Sequence, residues 1–196
     1  MSKNQQYAER YAAEAMEQMK RYGIPASVTL AQGILESRNG QSELSQLGNN
    51  HFGVKASKSW LKNGGDYLVY TDDKPNEKFC KYATVGDSYE HHSKILKNSS
   101  RYSQCFKLSP DDYKGWTKGI ERGGYATNGG DAVCFFSSLL DGDTEDDTVA
   151  EVLAFCSTPN FLPSALISCI TCWSYFCNPL ISIIFCKLAA YPPLVA

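Results

Sequence analysis

The segment 28–36 constrains this chain most, because an apolar run ends abruptly in a carboxylate. The apolar positions that precede Glu36 are Val28, Leu30, Ala31, Ile34 and Leu35. Small and amide side chains follow Glu36 at once. This pattern predicts a buried helix that carries an acid at its C-terminal end, where the helix opens into a cleft. The apolar surroundings and the negative end of the helix dipole both disfavour a charged carboxylate, so we expect Glu36 to keep its proton near neutral pH.

A protonated carboxyl group beside hydrogen-bonding side chains suits carbohydrate chemistry. The acid can give its proton to a glycosidic oxygen, while Asn, Gln and Ser side chains bind sugar hydroxyls. The sequence supplies such side chains near Glu36 at Gln32, Ser37 and Asn50. We therefore predict that Glu36 is a general acid and that these three residues bind substrate. The alternative is that Glu36 only caps its helix or forms a salt bridge there.

Motifs in the first 128 residues resemble glycoside hydrolase family 73, in the order in which that family carries them. The matching segments are 31–37, 40–44, 49–56, 79–82, 88–93, 101–102, 116–120 and 124–127. The longest of them, 49–56, begins with Asn-Asn-His-Phe-Gly-Val-Lys, which is similar to the family's Asn-(Leu/His)-Phe-Gly-(Ile/Val)-Lys signature. The family comprises peptidoglycan-cleaving N-acetylglucosaminidases and is related to the muramidase-like domain of the flagellar rod-assembly protein. The resemblance implies a peptidoglycan hydrolase in which Glu36 is the acid.

The chain departs from the family pattern at three places. Cys80 stands where the family has Arg, and His91 stands where it has Asp. Both changes concern local hydrogen bonds more than the surroundings of Glu36. After Asn128 the family continues into a closing helix, whereas this chain reads Gly-Gly-Asp-Ala-Val-Cys.

Apolar periodicity predicts helices over 4–22, 25–37, 88–97 and 110–122, with Ser109 as the N-cap of the last. Between residues 54 and 85, aromatic and β-branched residues alternate with turn sequences, which predicts a small antiparallel hairpin lobe. Helices with one short hairpin indicate an α+β fold of lysozyme-like architecture. Such a fold has its cleft between the two lobes.

A second carboxylate and a tyrosine follow from the family resemblance. In the family an acidic residue lies in the hairpin lobe roughly 35 to 40 residues after the acid. Asp72 and Asp73 fall at that distance, with Glu77 close behind. The alternatives are that 72–76 is only a turn, or that the N-acetyl group of the sugar assists and no second carboxylate is needed. Tyr125 matches a family tyrosine that faces the cleft, the alternative being a core tyrosine.

Aromatic residues complete the predicted substrate site. Phe52 is expected to shape the floor of the cleft together with Asn50. Trp60 and Trp116 are candidate platforms for sugar rings, with core packing as the alternative for both.

Neither metals nor cofactors are predicted. His51, His91 and His92 lack a third ligand at helical spacing, and the cysteines at 169–186 lie among large apolar residues rather than in a zinc-knuckle context. The acidic loop 141–147 lacks the alternation of an EF-hand. Cys80 and Cys105 lack the context of a nucleophile.

Composition divides the chain near residue 128. Residues 1–127 hold 18 Lys and Arg against 14 Asp and Glu, whereas residues 128–196 hold 1 against 7 and carry six of the eight cysteines. We therefore predict a catalytic domain over 1–128 and a divergent, Cys-rich apolar tail over 129–196. The run 161–185 is long enough for a bilayer span but is interrupted by Pro163 and Pro179. A span, a disordered or frame-shifted tail and a divergent closing segment remain the alternatives.

The expected partners are peptidoglycan glycan strands, with no nucleic acid, and the chain is expected to be a monomer. The N-terminus has no apolar run after its charge, which predicts synthesis without a Sec signal and another route to the wall. The preferred function is an endo-β-N-acetylglucosaminidase. The alternatives are a lytic transglycosylase or muramidase on the same fold, and a wall-binding module without catalysis.

Overall fold

The structure, a computed structural model, describes residues 2–72 and 74–125. This part of the chain forms six α-helices and one two-stranded antiparallel sheet. In chain order they are α1 Lys3–Tyr22, α2 Ala26–Ser37, α3 Glu43–Gly48, α4 Lys58–Lys62, β1 Tyr67–Tyr70, β2 Glu77–Cys80, α5 Val85–Asn98 and α6 Tyr113–Arg122. Two short 3₁₀ turns, Ser100–Tyr102 and Cys105–Lys107, connect α5 to α6. The predicted α+β, mostly helical architecture with one hairpin is confirmed.

Helix α1 is amphipathic and lies against α2 and α5. Ser2 caps its first turn by accepting a hydrogen bond from the backbone of Gln5 at 3.1 Å. At its other end Gly23 adopts φ +76°, a left-handed conformation that glycine tolerates without strain, and its N–H donates to Met19. The buried face of α1 includes Tyr7 and Tyr11. This face closes one side of the core.

Helix α2 passes through the middle of the molecule. All residues from Ala26 to Ile34 are buried, so the helix has no solvent face until its last turn. A helix that is apolar all round must be enclosed by other elements. Glu36 therefore leaves the core at a point fixed by the elements that pack around α2.

The hairpin pairs β1 with β2 in the register Tyr67–Cys80 to Tyr70–Glu77. The segment 54–56 lies along the other edge of β2, where Cys80 N–H donates to Val54 O at 2.9 Å and Ala56 N–H to Lys78 O at 2.8 Å. The hairpin is thus joined to the loop that follows α3. Its tip, of which residues 71, 72 and 74–76 are described, is the region predicted to carry the second carboxylate.

Two helix starts differ from the prediction. Helix α5 begins at Val85 rather than at Ser88, because Thr84 and Asp87 form a reciprocal capping box. Helix α6 begins at Tyr113, and its N-cap is Asp112, whose Oδ1 accepts from Gly115 N–H at 2.9 Å. The prediction of Ser109 as that N-cap was wrong, since residues 109–112 form a separate turn.

Two clusters of buried side chains form the core of the described part. One lies between α1, α2 and α5 and contains Tyr7, Leu30, Ile34 and Tyr89. The other contains Ile24, Val28 and Trp116, so Trp116 is a core residue. In residues 2–72 and 74–125 we find no helix with the length and apolar character of a membrane span. The predicted domain boundary at 128 and the tail 129–196 lie outside the described residues.

Candidate active site

Glu36 lies in the last turn of α2 and is half-buried. Its carboxyl group faces the loop 50–54, since a Cβ built on Gly53 would lie 3.9 Å from Glu36 Oε2. Burial is the main cause that raises the pKa of Glu36 above its usual value, and the charge of Asp72 raises it further. The last turn of α2 carries no basic residue to offset this. These properties are those of a carboxyl group that holds a proton for transfer.

The backbone turns sharply immediately after Glu36. Arg38, Asn39 and Gly40 have φ values of 52°, 59° and 73°, three successive left-handed residues of which two carry a Cβ. Left-handed residues other than glycine are strained, and they persist only where neighbouring contacts hold them. Here Ser37 Oγ accepts from Gly40 N–H at 2.7 Å, and Ser37 O accepts from Ser42 N–H at 2.9 Å. The turn ends α2 and gives the Glu36 side chain its direction.

Asp72 lies at the hairpin tip, close enough to Glu36 for its charge to act there. Its Oδ2 lies 3.2 Å from Lys55 Nζ, and more than half of its side chain is exposed. Glu77 is more enclosed: its side chain is 18% exposed, and both carboxylate oxygens accept from Lys55 Nζ, at 3.0 and 3.1 Å. Glu77 also accepts from the Lys74 backbone at 3.2 Å. Asp73 lies outside the described residues.

Tyr125 is the last described residue, and it lies close enough to Glu36 for the charge of Glu36 to act on it. Burial raises the pKa of Tyr125 well above its usual value, and the charge of Glu36 adds to this. Its ring packs edge-on against His92, with ring centroids 5.4 Å apart. Glu36 therefore has an electrostatic neighbour in both Asp72 and Tyr125, the two residues that the sequence proposed for the same site.

Gln32, Phe52 and His92 support this region from within. His92 is fully buried, and its Nε2–H donates to Gln32 Oε1 at 3.1 Å. Phe52 stacks on the His92 ring at 4.0 Å with an interplanar angle of 17°. Gln32 and Phe52 are 2% and 3% exposed, so they lie beneath the surface of the cleft rather than on it.

Asn50 and Ser37 are likewise buried, and protein atoms occupy their polar groups. Asn50 Nδ2 donates to Val54 O and Cys80 O, and its Oδ1 accepts from Val54 N–H. Asn50 thus joins the loop 50–54 to β2. Ser37 Oγ donates to Gly33 O while accepting from Gly40 N–H. Direct contact of sugar with Gln32, Ser37, Asn50 or Phe52 stays a prediction, and the geometry gives these four residues a supporting position.

Trp60 is half-buried on α4, and its indole N–H donates to Asp66 O at 2.8 Å. Its ring lies nearly parallel to that of His91, with centroids 5.5 Å apart. Together with Tyr82 and Lys94, these two residues line a cavity of about 630 Å³. Glu36, Asp72 and Tyr125 do not line this cavity. The structure therefore does not bring Trp60 into contact with them.

Sequence reasoning missed the ion pairs of Lys55 and the buried polar contacts of Tyr7. Lys55 belongs to the 49–55 motif, and this motif was the available signal that Lys55 matters. Its ion pairs with the hairpin carboxylates depend on the register of the hairpin, which the motif does not reveal. Within residues 2–72 and 74–125, no group of three or more His, Cys, Asp or Glu side chains could hold a metal ion.

Comparison with curated proteins finds relatives over this same region. The chain is 28% identical over 139 residues to the exo-glucosaminidase LytG of Bacillus subtilis, a match covering 65% of this chain and 48% of LytG. It is 32% identical over 118 residues to an autolysin of Enterococcus faecalis, covering 53% of this chain and 15% of that protein. The chain therefore spans about half or less of the length of these relatives.

Solved structures share the fold. The catalytic domain of the autolysin Auto from Listeria monocytogenes superposes with a TM-score of 0.62 at 27% identity, covering 78% of this chain and 88% of that domain. The glycoside hydrolase domain of FlgJ from Salmonella typhimurium gives a TM-score of 0.56 at 23% identity, covering 78% and 98%. The second likeness concerns the fold alone.

The family model for glucosaminidases, described as mannosyl-glycoprotein endo-beta-N-acetylglucosaminidase, matches residues 12–131. That range contains Glu36, the hairpin and Tyr125, which are the residues brought together above. It also covers more than half of the chain. This chain belongs to the glucosaminidase family.

Proposed function

We propose that this protein is a peptidoglycan hydrolase that cleaves the β-1,4 bond after N-acetylglucosamine, with Glu36 as the general acid. The observation that carries the proposal is the raised pKa of a half-buried carboxyl group at the end of a buried helix, flanked by Asp72 and Tyr125. Similarity to LytG, whose name is that of a glucosaminidase, supports the choice of sugar.

The first step is proton transfer from Glu36 to the glycosidic oxygen. As the bond breaks, the leaving sugar keeps that proton as a hydroxyl group, and the N-acetylglucosamine ring becomes oxocarbenium-like. Water then adds to the ring carbon and loses one proton to a carboxylate of the site, which restores the protonated form of Glu36 for the next cycle. The pKa of Glu36 is raised chiefly by burial, so the acid form is retained at the pH where the bond must be broken.

Asp72 is the described carboxylate that fits the second role better. It is exposed on the hairpin tip and its charge reaches Glu36, whereas Glu77 is enclosed and paired with Lys55 through both oxygens. Asp72 either activates the water or stabilises positive charge on the sugar ring. Asp73 and assistance by the N-acetyl group remain the alternatives for this role.

Tyr125, Trp60 and the buried aromatic residues have different proposed roles in substrate binding. We assign to the Tyr125 hydroxyl the donation of a hydrogen bond to a sugar oxygen; burial and the charge of Glu36 raise its pKa, which favours the protonated form that can donate. His92 packs against the Tyr125 ring, and Phe52 stacks on His92 in turn. Trp60 is proposed as a more distant sugar platform on the cavity that it lines.

The test is digestion of purified peptidoglycan with the wild type and Glu36→Gln, followed by borohydride reduction and mass spectrometry. We expect reduced N-acetylglucosamine ends from the wild type and at least a 100-fold lower rate from Glu36→Gln, because a neutral amide cannot donate the proton. The variant keeps the shape and the uncharged state of the protonated acid.

Other products would identify other functions. Reduced or anhydro-muramic ends would indicate a muramidase or a lytic transglycosylase. Binding to the wall without new ends would indicate a module without catalysis. Equal rates from the two proteins would exclude Glu36 as the acid.

A further inference from the structure

The Tyr7 hydroxyl is a buried junction between four elements of the described part. It lies 2.8 Å from His51 Nδ1 and 2.9 Å from the Tyr89 hydroxyl, and the side chain of Ser37 lies beside it. Burial lowers the pKa of His51 to about 4, so the ring is neutral and its Nδ1 can accept from Tyr7. The Tyr89 hydroxyl then donates to Tyr7. One hydroxyl on α1 thus joins α2, the loop 50–54 and α5.

Two of the segments joined in this way form the walls around Glu36. Ser37 directly follows Glu36 and holds the left-handed turn 38–40 through Gly40 N–H. His51 precedes Gly53, the residue whose backbone lies against the Glu36 carboxyl group. A third contact, from His51 N–H to Ser88 Oγ at 3.1 Å, holds the loop to α5. The separation of the two walls therefore depends on the atom that contacts both.

The fit around this hydroxyl is close. A Cβ on Gly33, one helical turn before Ser37, would collide with the Tyr7 hydroxyl. A Cβ on Gly40, inside the turn, would lie 3.6 Å from both His51 Cε1 and Tyr7 Cε2. Small residues at these two positions let the phenol reach Ser37 and His51 together.

We propose that Tyr7 is a positioning residue for Glu36, and that its hydroxyl fixes the turn 38–40 and the loop 50–54 at the spacing that directs the Glu36 carboxyl group into the cleft. The proposal rests on the proposed function of Glu36. It assigns a role in the reaction to α1, an element that contributes no residue to the cleft among those described above.

The test compares Tyr7→Phe with Tyr11→Phe in the full chain. Tyr11 lies one turn further along α1 in the same aromatic cluster, 4.6 Å from Tyr7 and 4.8 Å from His51 between ring centroids. In the described part of the chain its hydroxyl has no hydrogen bond to the turn or to the loop. Each variant removes one phenol hydroxyl and keeps the ring, so the two losses differ only in what the hydroxyl contacts.

We expect Tyr7→Phe to lower kcat on peptidoglycan by about 10- to 100-fold with KM changed less than about twofold, since small misplacement of a catalytic group costs rate more than binding. Amide hydrogen exchange of Gly40 and Ser42 should accelerate, because both N–H groups bond Ser37. Tyr11→Phe should leave both readouts near the wild type. Ser37→Ala should give the same phenotype as Tyr7→Phe, and the double variant should be no worse than either alone.

Three results would overturn the proposal: equal losses in Tyr7→Phe and Tyr11→Phe, a change in KM alone, or additive losses in the double variant. If the wild type itself cleaves no peptidoglycan, the proposed function fails, and amide exchange then decides separately whether Tyr7 fixes the turn. Unchanged amide hydrogen exchange of Gly40 and Ser42 in Tyr7→Phe would refute the role of Tyr7 in fixing the turn as well.

Discussion

The Glu36 carboxyl group links the pH of the solution to the stability of the fold. Its folded-state pKa lies above the usual value of 4.5, so the folded protein prefers the protonated form. The contribution of Glu36 to the free energy of unfolding is therefore complete below pH 4.5, and it is lost as the pH rises through the folded-state pKa. A carboxyl group held in this way makes the protein less stable once the pH exceeds its folded-state pKa.

Glu36→Gln should consequently be more stable than the wild type at pH 8 and equally stable at pH 4. The amide resembles the protonated acid and does not titrate, so the difference between the two proteins isolates the ionisation of Glu36. Thermal denaturation of both proteins at the two pH values measures it. A gap in Tm that stays constant with pH would contradict the raised pKa.

At the scale of single residues, the sequence indicated which residue types surround Glu36 better than it indicated how deeply these residues are buried. Glu36 was predicted from an apolar run that ends in a carboxylate, and it lies at the helix end as expected. Gln32, Ser37 and Asn50 were selected because amides and hydroxyls bind sugars, yet each is at most 2% exposed. A polar residue beside a catalytic acid either contacts substrate or supports the backbone. Only tertiary contacts such as those of Asn50 with Val54 and Cys80 distinguish the two.

Among the elements, the hairpin carries Asp72, the carboxylate that we propose acts with Glu36. We expect Asp72→Asn to lower kcat by about 10- to 100-fold, because an amide neither accepts a proton nor stabilises positive charge as well. Asp66→Asn is the matched control: Asp66 lies at the base of the same hairpin, 3.6 Å from Lys81 and largely exposed. Steady-state rates on peptidoglycan, measured with equal amounts of folded protein, provide the comparison.

The variant Glu77→Gln tests whether Asp72 or Glu77 is the second carboxylate. If Glu77 only holds Lys55, its loss should cost less than the loss of Asp72. A larger loss in Glu77→Gln than in Asp72→Asn would instead make Glu77 the partner of Glu36.

The long helices could be predicted from periodicity, and the short ones could not. Helix α1 offers five turns of apolar repetition, whereas α3 and α4 have six and five residues and few buried positions. Their signals are local: Ser42 and Ser57 each accept a hydrogen bond from the backbone three residues ahead. Serine is common in loops, so such caps are convincing only after the helix is known. The ion pair of Lys55 with Asp72 joins residues 17 positions apart and depends on the strand register.

For the molecule as a whole, two buried histidines should determine its response to acid. Burial lowers the pKa of His51 to about 4 and that of His92 to about 3, against 6.5 in the unfolded chain. Both are neutral in the folded protein, so the stability that they contribute is present above pH 6.5 and is lost as the pH falls towards 4 and 3. Between pH 6 and pH 5 the unfolded chain binds nearly two more protons at these sites. The free energy of unfolding should fall by about 2 kcal/mol per pH unit there.

Urea denaturation at pH 5, 6 and 7 tests this expectation. Replacement of His51 by Leu should reduce the pH dependence by about half, even if it changes the stability at pH 7. A free energy of unfolding that is constant over this range would show that the two histidines are not held neutral.

The placement of the two carboxyl groups on different parts of the molecule has a consequence for ionic strength. The backbone that carries Glu36 is held by the packing of α2 and by the buried hydrogen bonds of Ser37, which dissolved ions do not reach. Asp72 is fixed across the hairpin by a lysine of which 42% of the side chain is exposed, and salt screens such a pair. Added salt therefore weakens the restraint on Asp72 and leaves that on Glu36 unchanged. If the two act together as we propose, the salt concentration at which the rate declines would measure how firmly Lys55 holds Asp72.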